Sequence, residues 1–255
     1  MRLRQVALIA HRIDPVVRDL EAVFGLKVGY RDPGVGVFGL ANVVMPVGGD
    51  FLEVLEPIRS DASGARYLAR RGGDAGYMVI LQSDDALAHR ARLQGAGVRV
   101  IARSERPNYR FTHFHPGDCS GVLMSIDDTP GADWREPMSD WPPAGAHWRG
   151  FESAVSTGIE SVTIQSRDPR AVAERWSMLL DRPWSEDGAD AVVPLERGTI
   201  RFVGPIDEDG TGVVGLDIRV NDPQAVLARA AADGLPLRDD AVVICGTAIR
   251  PAPAG

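Results

Sequence analysis

Cysteine is nearly missing from this chain: Cys119 and Cys245 are the two thiols in 255 residues. A pair of thiols is no disulfide framework, and a cytoplasmic protein is the expectation. Long apolar runs are missing too; none approaches the roughly 20 residues that a membrane helix needs. The segment from Met1 to Ala10 is briefly basic and then apolar, but it runs straight into His11 and Arg12. That is the pattern of a strand rather than of a signal peptide. Basic charge is in deficit, with 28 Lys and Arg against 35 Asp and Glu, a net charge of −7 and a pI near 5.3. This gives nucleic-acid binding no electrostatic support. What is present is ordinary for a globular protein: 44% hydrophobic and 25% charged residues, in a length that suits one large domain or two smaller ones.

One pattern recurs four times, in Val6–Val28, Met78–Val100, Val162–Trp184 and Leu216–Leu237. A short aliphatic run leads to an aspartate, then to apolar residues at helical spacing, then to a second apolar run. Asp14, Asp84, Asp168 and Asp222 are placed to cap a helix by accepting a free N–H of the first turn. Pro15, Pro169 and Pro223 follow three of them, where a missing N–H costs nothing. Gly25, Gly95 and Gly234 stand where three of the helices stop. Strands are expected at Gly39–Met45 and Phe51–Leu55, at Phe111–His115 and Val122–Ile126, and at Ala191–Leu195 and Thr199–Val203. The fourth unit has only Ala241–Ile249 left for strands and reads as truncated. Each unit is thus a strand, a helix and up to three further strands.

Residues 131–150 differ in composition, with Pro137, Pro142, Pro143, Trp134, Trp141 and Trp148, and read as a linker. The expected division is 1–130, linker, 151–255. The tryptophans are expected to pin the linker across a domain surface, with ligand stacking as the alternative. Gly34-Val35-Gly36-Val37-Phe38-Gly39 matches G-x-G-x-x-G but runs into a strand, so it is a turn and not a dinucleotide loop. Arg66, Arg70 and Arg71 lie at helical spacing and read as a solvated face, with a phosphate contact as the sharper alternative.

The repeat resembles the βαβββ module of the vicinal oxygen chelate superfamily, which includes glyoxalases, bleomycin-resistance proteins and dioxygenases. Phe51-Leu52-Glu53-Val54-Leu55-Glu56-Pro57 resembles that family's Ile-Glu-Leu strand, and His115-Pro116-Gly117-Asp118-Cys119-Ser120-Gly121-Val122-Leu123 resembles the closing hairpin of its methylmalonyl-CoA epimerases. The resemblance implies an α+β fold of paired modules, two tandem cupped sheets, with a site inside the N-terminal cup.

In such a cup, one divalent metal is held by four ligands and polarises neighbouring substrate oxygens. Carried over, the four slots fall on Gln5 (spacing from Asp14 would instead choose Ala7), Glu53, Tyr77 and Ser125, of which only Gln5 and Glu53 are usual ligand types. His113 and His115 share a strand face and offer further nitrogens. His115, just before Pro116, also suits a hydrogen bond within the turn. Two arrangements stay open. One is a metal on Gln5, Glu53 and His113. The other is a metal-free cup with Glu53 as general base, Tyr77 and His113 as polarising groups, and Gln5, Asn42, His115 and Ser125 around the ligand. Asn108, Tyr109 and Arg110 read as an exposed loop or as the lip of the cup. In the second half the slots fall on Ser161, Arg201, Gly215 and a residue near Thr247, from which no metal site assembles; this half reads as a structural partner, or as a second cup with Arg201 meeting an anion. The expected activity is an isomerase or lyase working by proton abstraction on a small oxygenated molecule. The alternative is a non-catalytic binder of the bleomycin-resistance type. Neither nucleic acid nor membrane is an expected partner, and a homodimer sharing sheet edges is one expected assembly.

Overall fold

The computed structural model describes residues 1–254. The first unit is β1 (Arg2–Ile9), α1 (Ile13–Phe24), β2 (Leu40–Val47) and β3 (Asp50–Pro57). After α2 (Ser63–Arg71) comes the second: β4 (Ala75–Gln82), α3 (Ala86–Gly95), β5 (Val100–Arg106), β6 (Tyr109–Phe114) and β7 (Leu123–Asp128). The third is β8 (Ser156–Gln165), α4 (Pro169–Leu180), β9 (Ser185–Asp187), β10 (Asp190–Pro194) and β11 (Thr199–Val203). The fourth is β12 (Gly212–Val220), α5 (Pro223–Ala232), β13 (Leu237–Arg238), β14 (Ala241–Ile244) and β15 (Thr247–Pro253).

The units pair as paired βαβββ modules do, giving an α+β fold of two curled sheets. One sheet has the order β2-β3-β1-β4-β7-β6-β5, the other β13-β14-β15-β12-β8-β11-β10-β9. Within each unit the first strand runs parallel to the last: β1 with β3, β4 with β7, β8 with β11, β12 with β15. The two units of each sheet join through their first strands, antiparallel: β1 with β4 and β8 with β12.

Several expectations change in detail. The fourth unit is complete; β13 is only two exposed residues long, too short to leave a periodic signal. The second and third units each hold one strand more than their patterns show, β5 and β9, both edge strands with charged, exposed positions. In the first unit a short 3-10 turn, Pro33–Phe38, stands in place of a strand. Asp168 and Asp222 cap α4 and α5 as expected, accepting from Ala171 N and Ala225 N. Asp85, not Asp84, caps α3. Asp14 lies inside the first turn of α1, whose first N–H goes to Glu56 instead. Gly25 ends α1 with φ +64, the left-handed conformation that glycine adopts without penalty.

One face of each sheet feeds a single apolar cluster that runs across both halves, including Val6, Leu8, Leu52, Val54, Ile164, Trp176, Phe202 and Leu216. Trp176 also donates its indole N–H to the Cys119 carbonyl at 3.3 Å, tying α4 to the turn before β7. The opposite face of the first sheet forms the cup. It carries a separate cluster that includes Ala7, Ile9, Phe51, Leu55, Met78, Ile80, Trp141 and Trp148.

Candidate active site

The cup follows from strand alternation, because residues two apart share a face. Gln5, Ala7 and Ile9 of β1 line it beside Phe51, Glu53 and Leu55 of β3, with Gln5 opposite Phe51 and Ala7 opposite Glu53. Both alternatives for the first slot, Gln5 and Ala7, therefore face the same space. Asn42 enters from β2, and Tyr109, Phe111 and His113 from β6; Ser125 and Asp127 enter from β7, with Ser125 paired to His113 and Asp127 to Phe111.

Residues 131–150 cross this cup as a strap. Trp141 and Trp148 are fully buried; Trp141 stacks near Phe51 with centroids 6.4 Å apart, and Trp148 meets Phe51 edge-on at 5.0 Å. Gly49 permits the crossing, since a Cβ there would lie 1.9 Å from the Pro137 carbonyl oxygen.

Under the strap runs a chain of hydrogen bonds with a fixed direction. The Trp141 indole can only donate, and it donates to Gln5 Oε1 at 2.8 Å. The Gln5 amide nitrogen therefore faces Glu53 and donates to Oε2 at 2.8 Å. From the other side, the Asp32 N–H donates to Asn42 Oδ1 at 2.8 Å, so the Asn42 amide donates to Glu53 Oε1 at 2.6 Å. Glu53 is buried between two neutral amides with no cation paired to it among the described residues. Burial raises its pKa; the two amide bonds oppose the rise, and the Asp32 charge adds to it.

A second carboxylate, which the sequence pattern does not single out, lies across the cup. Asp127 is 1% exposed and accepts hydrogen bonds from the Ser125 and Tyr109 hydroxyls. Burial pushes its pKa up to about 7, against those two hydrogen bonds. The Tyr109 phenol is held well above its ordinary pKa by burial and by the Asp127 and Glu53 charges, so it stays a neutral donor. Tyr109 meets Trp141 edge-on at 5.5 Å. Its place in the sequence, at a turn between two charged arginine-containing stretches, hid this role; the signal was the alternation Tyr109, Phe111, His113.

The remaining expected residues are distributed as follows. His113 is partly buried on the cup face between Phe111 and Phe38, at 4.6 and 5.9 Å, and burial lowers its pKa to about 4. His115 uses Nδ1 to accept the Gly117 N–H at 3.1 Å within the turn. Tyr77 packs edge-on against Tyr67 at 5.0 Å at the side of the cup, its pKa raised by burial. Gly34, Gly36 and Gly39 belong to or end the 3-10 turn leading into β2, with no helix after them.

This donor set does not fit a divalent ion, which a catalytic site holds with about three protein ligands. Of the four slots only Gln5 and Glu53 carry usual ligand types; Tyr77 and Ser125 stand at the other two. His113 is on β6, three strands along the sheet from Gln5 on β1. No three His, Cys, Asp or Glu side chains are grouped for a metal among the described residues.

The corresponding face of the second sheet is open and salt-bridged. Arg250 pairs with Asp217, which also accepts from Ser161; Arg219 pairs with Glu160; and Arg201 is held by Asp187 and Asp190. A shallow hollow of about 500 Å³ lies over Asp217, Arg219 and Arg250.

The chain is similar to several known proteins. The chain is 23% identical over 129 residues to the bovine mitochondrial methylmalonyl-CoA epimerase, covering 49% of this chain and 73% of that protein. A Streptomyces coelicolor methylmalonyl-CoA epimerase in complex with 2-nitronate-propionyl-CoA aligns over 51% of this chain and 96% of its own, with 25% identity and a TM-score of 0.46. A mutant 4-hydroxymandelate synthase from Streptomyces coelicolor shares the fold over 92% of this chain and 75% of its own, with a TM-score of 0.66 at 19% identity. The glyoxalase-like domain family matches residues 6–180, a span that includes the strap. The chain belongs to the glyoxalase-like family.

Proposed function

We propose that this glyoxalase-like chain is an isomerase or lyase that removes a proton beside a carbonyl of a small oxygenated molecule, in the N-terminal cup and without a resident metal. The observation that carries the reading is Glu53: a buried carboxylate held by two neutral amides, facing a second buried carboxylate whose pKa is about 7. A base with a raised pKa takes a carbon-bound proton more readily than an exposed carboxylate does, and general-base groups of this kind contribute about 10²–10⁴-fold to rate. With Asp127 protonated, as a pKa of about 7 allows, its O–H would donate to the Tyr109 oxygen and leave the neutral phenol's own O–H to donate to the oxygen on which enolate charge gathers. Two carboxylates in unlike surroundings support separate acid and base roles. The relationship to an epimerase named for methylmalonyl-CoA supports acyl thioesters as the first substrates to try.

The test is hydrogen exchange. Incubated in D2O with a panel of 2-substituted acyl-CoA thioesters and 2-oxo acids, the protein should place deuterium on the carbon next to the carbonyl of at least one compound. Glu53→Gln should remove about 100-fold or more of that exchange while keeping ligand affinity. A compound that binds saturably with no exchange, and whose binding Glu53→Gln merely shifts, would establish the sequestering reading instead. Elemental analysis completes the test: stoichiometric zinc, iron, manganese or nickel that disappears in Glu53→Ala would overturn the metal-free part.

A further inference from the structure

The residue next to Gln5 is a buried cation without a carboxylate. Arg4 is 0% exposed and sits at a break in the β1–β4 register between Leu3 and Gln5. Its guanidinium lies over the rings of Phe51 and Trp141, 5.1 and 5.3 Å from their centroids, and so points to the cup end that the strap covers. Its hydrogen bonds go to strap carbonyls: Nη1 donates to Pro137 at 3.2 Å and Nη2 to Ser139 at 2.6 Å. Nε has no partner. The neighbouring carboxylate, Asp50, is already paired with Arg2, and it also accepts the Ile159 N–H.

A buried guanidinium normally has an anion beside it, because its desolvation is repaid only by full charge and hydrogen-bond compensation. Here two carbonyl dipoles and two aromatic faces do that job in part. The planar fork suits two oxygens of one carboxylate or phosphate better than two separate carbonyls. Those carbonyls belong to the strap, the segment that also places Trp141 on Gln5. Removing the strap would free the fork and the Gln5 oxygen together.

We propose that Arg4 forms an anion subsite at the strap end of the cup, and that the strap carbonyls of Pro137 and Ser139 hold the subsite closed until a ligand carboxylate or phosphate replaces them. The ligand class is therefore an anionic oxygenated molecule, with its charged group on Arg4 and its reacting end toward Glu53. The orientation rests on the proposed function; the subsite itself does not.

Binding, not turnover, reads the proposal. Malonate and inorganic phosphate are titrated separately into the full-length protein by calorimetry, each also against Glu53→Gln, Arg4→Met and Trp141→Phe. The expected result is saturable binding of at least one anion, retained in Glu53→Gln and weakened about 30-fold or more in Arg4→Met, as when one partner of a buried charged pair is removed. Malonate alone identifies a carboxylate ligand and phosphate alone a phosphorylated one. Trp141→Phe keeps a ring under Arg4 but removes the indole N–H that latches the strap to Gln5. It should tighten anion binding about tenfold by raising the fraction of open protein. That variant decides the matter if Arg4→Met does not fold. No saturable binding in either the wild type or Trp141→Phe, or affinity unchanged by Arg4→Met, overturns the subsite and shows Arg4 to be only a tether for the strap. Deuterium exchange that still depends on Glu53 would then leave the proposed function standing.

Discussion

Replacing Asp127 by asparagine tests the electrostatics of the cup directly. Asp127 is 1% exposed, and burial takes its pKa from 3.8 to about 7. Between those values the native state keeps a proton that the unfolded chain has lost, so stability falls as pH rises. The contribution is fully present below about pH 4 and is lost as pH passes through about 7. A shift of roughly three units at about 1.4 kcal/mol each corresponds to about 4 kcal/mol. The asparagine amide cannot ionise, and the Ser125 and Tyr109 hydroxyls that bond Asp127 can rotate to suit it. Any cost of imperfect pairing, about 1–3 kcal/mol, is then the same at every pH. Urea unfolding followed by circular dichroism between pH 4.5 and 8.5, a window that holds about 2.5 of those units, should show the wild type losing stability relative to Asp127→Asn by about 3 kcal/mol. Glu53, also raised, slopes in the same direction in both proteins and cancels in the difference. Parallel curves for the two proteins would refute the claim that Asp127 is held protonated in a sealed cup.

Two further outcomes follow from packing. Trp148→Ala removes a fully buried ring from its edge-on contact with Phe51 and should cost about 3–5 kcal/mol in chemical denaturation, with a rise in proteolysis within residues 131–150. Cys119 and Cys245 are both buried, with burial holding the Cys119 thiol near pKa 12 and raising that of Cys245, so neither should react with a thiol reagent at pH 8 until the protein is unfolded.

The modular fold was legible because its causes are local. The caps Asp168 and Asp222, the proline that follows each, and the aliphatic runs before them are contained in a few residues, and four copies of one pattern confirm one another. Glu53 could be found the same way, since the alternation of Phe51, Glu53 and Leu55 puts it on one face of a strand whichever sheet that strand joins. Short edge strands were not legible. β9 and β13 owe their conformation to the neighbour they pair with, and their exposed residues carry no periodic apolar signal.

Alternation says which side chains share a face but not what covers that face, and here the cover decides the chemistry. Trp141 reaches Gln5 across 136 positions of sequence. That approach turns the Gln5 amide N–H toward Glu53. Asp127 reads in sequence as one of two adjacent acids at a strand end; only the closing of the cup removes the water that would have kept its pKa ordinary. Arg4 likewise reads only as one of two basic residues opening a strand-like run; the structure buries it beneath the strap. The sequence by itself determined the modules and the face on which Glu53 stands, through backbone period and capping within each segment. The tertiary structure alone decided the state of the site, because burial, charge compensation and hydrogen-bond direction depend on groups that meet only after both sheets and the strap have packed.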